Sequence, residues 1–368
     1  MKMKKKLRIF FYNLLFFFIF LIIIECFFGD WFKIQNWNDT LRSERSKKTF
    51  YSVKFKQSKY NFFYQENSLG FRGDEINPEK LKILMMGGST VNQRFTPENL
   101  TIVGRLNEFL EKDDIDLKIY NGGIDGQSTI GLITNFTKWF PNIDNFKPKI
   151  ILYYIGINER AYYDYNPNPE NFTTGEFITN HVSDKMKENS IKERFLDYVK
   201  NNSFFLNKSK IIQLKYFPNI SKKEKDYSSF KMEYNLNSNN LNKLFINQNE
   251  ADKIHSYSEL KKNNYDYYKS LYDRLNYLIN ITKKIDATPI LITQVMLDGQ
   301  ATDFMYYTNQ IIRQFCKENS VKLVDLAKII NFELDDFYDD VHTTPKGSKK
   351  IAKAIYPNIK KYIIETFY

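Results

Sequence analysis

The sequence predicts an α/β fold, a parallel sheet with helices on both sides. Three observations predict it. Short apolar runs at 81–86, 117–123, 149–156, 288–295 and 321–326 have the length of buried strands. Segments with helical spacing separate them, and that alternation builds parallel sheets through crossover helices. Glycines or carboxylates follow the strands, at the sheet edge where open parallel sheets bind ligands.

Each element has a local reason. LKILMM (81–86) is closed by Gly87 and Gly88. Thr96-Pro97 offers an N-cap and a proline at the first helical position. The helix then runs to about Lys112, with Ile102, Leu106 and Leu110 on one face. LKIYNGG (117–123) is the second strand, and a helix over 128–139 follows. KIILYYIG (149–156) is apolar nearly throughout, as expected when both faces of a strand are covered. Residues 161–255 are rich in Asn, Lys, Tyr and Ser, with helices expected near 184–200 and 203–216 and loop or partial disorder over 219–250. One long helix is expected from Tyr257 to Ile285. TPILITQV (288–295) is the fourth strand, 303–318 a helix and VKLVDL (321–326) the fifth strand. A last helix starts after Thr344-Pro345 and ends near Ile364.

The 368 residues carry a formal charge of +11 and 42% hydrophobic residues. A sizeable core is affordable on that composition, which excludes wholesale disorder. Residues 1–8 hold five basic side chains and no acid, leaving a mild +6 on the rest, with no basic stripe of the kind a nucleic acid would need. No nucleic-acid partner is expected. From Ile9 to Gly29 the chain is apolar on every face and spans about 30 Å as a helix, the thickness of a bilayer core. Flanking basic residues keep 1–8 cytoplasmic and send the remainder out. No small-residue cleavage site follows, and Glu25 precedes Cys26 where lipoprotein processing wants a small residue, so the segment reads as a retained signal anchor. The expected organisation is a cytoplasmic tail (1–8), a transmembrane anchor (9–29), a stem (30–78), the first part of the α/β domain (79–160), an insert (161–255) and the second part (256–368). No disulfide is expected between Cys26 and Cys316.

Four strand-end blocks carry the chemistry: Gly87-Gly88-Ser89-Thr90, Asn121 to Gly126, Gly156-Ile157-Asn158-Glu159, and Asp339-Asp340-Val341-His342. Nucleophilic acyl transfer fits them. A serine hydroxyl is inert at neutral pH until a base takes its proton. His342 is the candidate base for Ser89, and Asp339, three residues earlier, can hold the imidazole tautomer. Backbone N–H groups of Ser89 and Gly126, with the Asn158 amide, can face an oxyanion.

These residues resemble the SGNH branch of the GDSL hydrolases. That family carries a Ser in a Gly-rich loop after the first strand, a Gly after the second, Gly-x-Asn after the third and Asp-x-x-His near the carboxyl end. Here GGST, NGGIDG, GIN and DDVH occur in that order. The resemblance covers about 66–160 and 286–356. It implies a flavodoxin-like three-layer α/β/α sandwich with a five-stranded parallel sheet. It further implies Ser89 as nucleophile, His342 and Asp339 completing a triad, and Ser89, Gly126 and Asn158 in the oxyanion hole. Gly122 and Gly123 are the rival glycines, and family spacing from Asn121 favours Gly126. Two positions depart from the pattern: Gly88 replaces the Asp of Gly-Asp-Ser, and Glu159 replaces the usual Asp after the third-block Asn.

Blander roles stand beside these. Ser89 can be a helix cap and Asn158 a turn residue. His181 and His255 are the other histidines, without an Asp-x-x-His context, and Asp340 is the rival to Asp339. No cofactor is required. Scattered histidines and remote cysteines offer no metal site, and the Lys of a phosphate-binding Walker loop is missing. The expected function is a membrane-anchored serine esterase acting on acyl, foremost acetyl, esters of envelope or secreted glycans. An O-acyltransferase, a catalytically silent glycan-binding relative and a lipid esterase are the alternatives.

Overall fold

The computed structural model describes residues 2–29, 48–55, 58–163, 199, 203–206, 229–234 and 245–368. The chain divides into two units, Met1–Asn36 with Gly175–Tyr227, and Trp37–Thr174 with Ser228–Tyr368.

In the first unit, α1 spans Lys2–Phe28, so the basic residues form its opening turns. Arg8–Phe28 has mean hydropathy 2.5 and is long and apolar enough to cross a membrane. Glu25 accepts hydrogen bonds from the backbone N–H groups of Phe204 (3.0 Å) and Phe205 (3.1 Å). Its carboxylate thus caps the start of the helical residues 204–206. The rest of the helices expected at 184–200 and 203–216 lies outside the described residues, residue 199 excepted.

The second unit holds the five-stranded sheet. Its strands are β3 (Ile83–Gly87), β4 (Ile119–Asn121), β5 (Ile150–Ile155), β7 (Thr288–Thr293) and β8 (Lys322–Val324). All neighbours are parallel, in the order β4-β3-β5-β7-β8. That is the doubly wound order 2-1-3-4-5, whose direction of winding reverses between β3 and β5. Strand alternation feeds two cores. Leu84, Met86, Ile151, Tyr153, Ile155 and Leu291 face one, with Leu132 of α4 (Thr129–Lys138), Leu271, Leu275 and Leu278 of α7 (Tyr265–Lys284), and Ile311 and Phe315 of α8 (Asp303–Glu318). Ile83, Met85, Ile150, Leu152, Ile290 and Ile292 face the other. There they meet Leu106 and Leu110 of α3 (Ile102–Lys112) and Ile351, Ile355, Ile359 and Ile363 of α10 (Pro345–Phe367). The result is a three-layer α/β/α sandwich, and it explains why the strand runs are apolar without interruption.

Local differences from the sequence reading have tertiary causes. Thr344-Pro345 does start α10, with the Thr344 hydroxyl accepting from Gly347 N. Thr96-Pro97 does not start α3. Arg72 takes the Thr96 carbonyl, Pro97 stays extended (ψ 144°), and Thr101 caps the helix by accepting from Gly104 N at 2.9 Å. The helix expected over 257–285 is two, α6 (Tyr257–Asn263) and α7, broken at Asn264. Within 219–250, expected as loop, stand β6 (Ser229–Tyr234) and the start of α5 (Gln248–Ile254). Strand β6 pairs in parallel with β1 (Lys48–Phe55), itself antiparallel to β2 (Ser58–Gln65). A single strand whose partner lies far back in the chain leaves no hairpin signal to read. Among the described residues, the remaining α-helices of this unit are α2 (Ser89–Asn92) and α9 (Leu326–Ile329).

Candidate active site

The first block sits where β3 passes into α2. Gly88 is the N-cap and Ser89 the first helical residue, so the Ser89 N–H is among those without an intrahelical partner. Gly88 also explains its own identity. A Cβ there would lie 1.9 Å from Asn158 Nδ2 and 3.3 Å from the Gln127 carbonyl. The space that a side chain at 88 would fill is occupied by the Asn158 amide, which brings the first and third blocks together at the β3–β5 reversal.

The fourth block closes on the first. Ser89 Oγ is 2.7 Å from His342 Nε2, and His342 Nδ1 is 2.7 Å from Asp339 Oδ2. The other carboxylate oxygen, Oδ1, accepts from the backbone N–H of Val341 (2.8 Å) and His342 (2.6 Å). A carboxylate on Nδ1 favours the tautomer protonated there, which leaves Nε2 to accept the Ser89 O–H. Burial raises the affinity of Asp339 for protons. The His342 side-chain hydrogen bond and charge, with the two backbone N–H groups, outweigh it and hold Asp339 below the ordinary aspartate range. Asp339 therefore stays ionised beside the ring. Asp340, its rival, presents its backbone carbonyl to Leu297 N at 2.9 Å.

Of the three second-block glycines, Gly122 and Gly123 have committed N–H groups. Gly122 donates to the Met85 carbonyl at 2.8 Å and Gly123 to Asn121 Oδ1 at 3.0 Å. Gly126 is exposed, has φ +76°, and would place a Cβ in open space. Its left-handed backbone, rather than crowding, calls for glycine there. Asn158 Nδ2 donates one N–H to the Gln127 carbonyl at 2.9 Å, and a primary amide has a second to offer.

Several residues that sequence reasoning missed hold this arrangement. Gln93, at φ +48°, ends α2 and spans to the fourth block. Its Nε2 donates to Thr343 Oγ1 (3.0 Å) and Ser348 Oγ (2.6 Å), and its Oε1 accepts from Ile102 N (2.6 Å). Arg72 donates to the carbonyls of Asn92, Gln93 and Thr96 beneath the same turn. Tyr338 stacks on His342 at 5.6 Å between centroids and 8° between planes, and Phe55 of β1 stacks on Tyr338 at 5.2 Å. Arg274 and Glu159 form a buried ion pair at 3.0 Å. Glu159 stands in the third block, but its partner Arg274 and the other residues named here meet the blocks through folding alone. His255 is engaged elsewhere, with Nδ1 at 2.7 Å from Asp303 and Nε2 at 3.1 Å from the Gln300 carbonyl. His181 lies outside the described residues. A cavity of about 300 Å³ bounded by Arg72, Glu98, Lys118 and Tyr120 runs along the edge strand β4 and includes none of the five candidate residues.

An alcohol, an imidazole and a carboxylate thus stand in hydrogen-bonded series beside amide donors at a parallel-sheet edge, an arrangement whose chemistry suits acyl transfer. Residues 83–355 match the family model of the GDSL-like lipase/acylhydrolase, so the chain belongs to that family and is an ester-hydrolysing enzyme. Solved structures similar to it include a member of the lipolytic protein G-D-S-L family from Veillonella parvula, 11% identical, covering 76% of this chain and 98% of that one, with TM-score 0.39. An acetylxylan esterase from Geobacillus stearothermophilus is 14% identical, covering 76% of this chain and 93% of that one, with TM-score 0.40. The comparison with curated proteins gave no match.

Proposed function

We propose that this enzyme is a membrane-anchored serine esterase that removes acyl groups, foremost acetyl, from cell-envelope or secreted glycans. The observation that carries the chemistry is the Ser89–His342–Asp339 series, with both links at 2.7 Å. Ser89 Oγ attacks the ester carbonyl while His342 Nε2 takes the hydroxyl proton. The tetrahedral oxyanion accepts hydrogen bonds from the Ser89 and Gly126 N–H groups and the second Asn158 N–H. Collapse breaks the ester C–O bond, and His342 gives its proton to the departing sugar oxygen, which leaves as a hydroxyl. Water then attacks the acyl-serine with His342 again as base, releasing a carboxylic acid and restoring Ser89. The Asp339 carboxylate stabilises the imidazolium in both halves.

The glycan assignment rests on the anchor. A span at Arg8–Phe28 tethers the catalytic unit to the bilayer, within reach of surface polymers. Basic residues before the span put the amino terminus in the cytoplasm and the carboxyl end outside. A reporter fused after Tyr368 is expected to register as extracytoplasmic; a cytoplasmic signal would overturn the orientation. The substrate is tested by incubating full-length protein in detergent with an O-acetylated polysaccharide and with a short nitrophenyl ester. Release of acetate from both is expected. Cleavage of the small ester alone would remove the glycan from the proposal and leave the hydrolase.

A further inference from the structure

Behind the site lies a fully buried ion pair. Arg274 of α7 is 0% exposed and Glu159 is 1% exposed, and their charged atoms are 3.0 Å apart. Both also hold Thr129, the first residue of α4. Glu159 Oε1 accepts from Thr129 N at 2.6 Å, and Oε2 accepts from the Thr129 hydroxyl at 2.9 Å. Arg274 Nε donates to that same hydroxyl at 2.8 Å, and Nη1 donates to Ser270 Oγ. Glu159 directly follows Asn158, and Thr129 lies two residues after Gln127, whose carbonyl accepts the Asn158 amide. The third-block turn is therefore fastened to the start of α4 at two adjacent points, one on Asn158 and one on Glu159.

Stability does not call for this pair. Taking two ions out of water costs about as much as their attraction returns, and apolar side chains of similar volume serve a core as well or better. A carboxylate at the N-terminus of α4 gains from the helix dipole, but an exposed one would gain the same way. What the pair supplies and apolar residues do not is direction. Four hydrogen bonds of fixed geometry (three accepted by the carboxylate and one donated by Arg274 Nε to Thr129) leave the turn one position.

We propose that Arg274 and Glu159 are positioning residues that hold the Asn158 amide at the oxyanion, acting through the Glu159–Thr129 fastening. This rests on the role given above to Asn158. The residue type at 159 follows: the longer carboxylate spans to Thr129 and Arg274 together.

The test is a double-mutant cycle in the full-length enzyme with a short acyl ester. Removing both charges at once, as Glu159→Leu with Arg274→Leu, strands neither ion. The expected result is a kcat loss on the order of 10- to 100-fold with KM within about twofold, as for a misplaced group acting only in the transition state. Placed on Asn158→Ala, the same pair of changes is expected to cost no further kcat, because its route of action is gone. Parental kcat in the Leu/Leu variant, or losses that multiply with Asn158→Ala, would overturn the proposal. Should that variant fail to fold, Glu159→Asp keeps the charge and withdraws it by one methylene; the same kcat loss, and the same lack of further loss on Asn158→Ala, are expected. Parental kcat in Asn158→Ala alone is a different failure, because it removes the oxyanion role and leaves the hydrolase.

Discussion

Ser89→Ala in the full-length protein is expected to lower turnover of a short acyl ester by a factor on the order of 10⁶. The loss is this large because attack and proton transfer fail together. Ser89 Oγ is the alcohol 2.7 Å from His342 Nε2, and without it the imidazole has no proton to take. Ser89 is half-buried at the mouth of a strand-to-helix turn whose other residues, Thr90, Val91 and Asn92, are buried. The substitution therefore leaves packing intact, and the fold should change in stability by no more than about 1 kcal/mol. Steady-state turnover and a thermal melt on the same preparation check both halves. Turnover equal to the parent would remove Ser89 as nucleophile, and a collapsed melt would make the rate uninterpretable as chemistry.

Asn158→Ala is expected to cost on the order of 10²–10³ in kcat with little change in KM. A donor aimed at the oxyanion acts when negative charge develops on the carbonyl oxygen, which is why the loss falls on kcat. The amide sits against Gly88, one residue from the nucleophile, and is oriented by the Gln127 carbonyl at 2.9 Å. Alanine removes the donor and opens space beside Gly88. It also leaves the Gln127 carbonyl without that amide partner, a stability loss of about 1 kcal/mol that a melt would register separately. A near-parental kcat would show that the oxyanion is held by backbone groups alone.

The candidate site was legible because its chemistry is written in residue types that few local structures need in that order. Glycine after one buried strand and Gly-x-Asn after another mark the ends of β3 and β5, which the sheet order makes neighbours. Asp-x-x-His stands beyond β8 and α9, directly before the proline-started α10, and the loop there returns it to Ser89. The Asp-x-x-His spacing favoured Asp339 over its rival Asp340, and in three dimensions the Asp339 carboxylate is the one that turns back to the ring and to the N–H groups of Val341 and His342. Likewise, Thr96-Pro97 and Thr344-Pro345 carry the same start signal, and what separates them is Arg72 taking the Thr96 carbonyl. Strand β6 was invisible for a related reason. Its register is set by β1, residue for residue from Phe50↔Ser229 to Phe55↔Tyr234, and nothing within its own six residues encodes that partner.

Hydrophobic period and strand-end residues by themselves determined the α/β alternation, the apolar amino-terminal helix and the residues of the four blocks, since those depend on neighbours within a turn or a strand. Only the tertiary structure decided what braces them. The Arg274–Glu159 pair, the bridge from Gln93 to Thr343 and Ser348, and the Phe55–Tyr338–His342 stack join segments distant in sequence. Directional contacts of that kind are fixed by where the packed layers bring the chain, and a linear pattern carries no record of it.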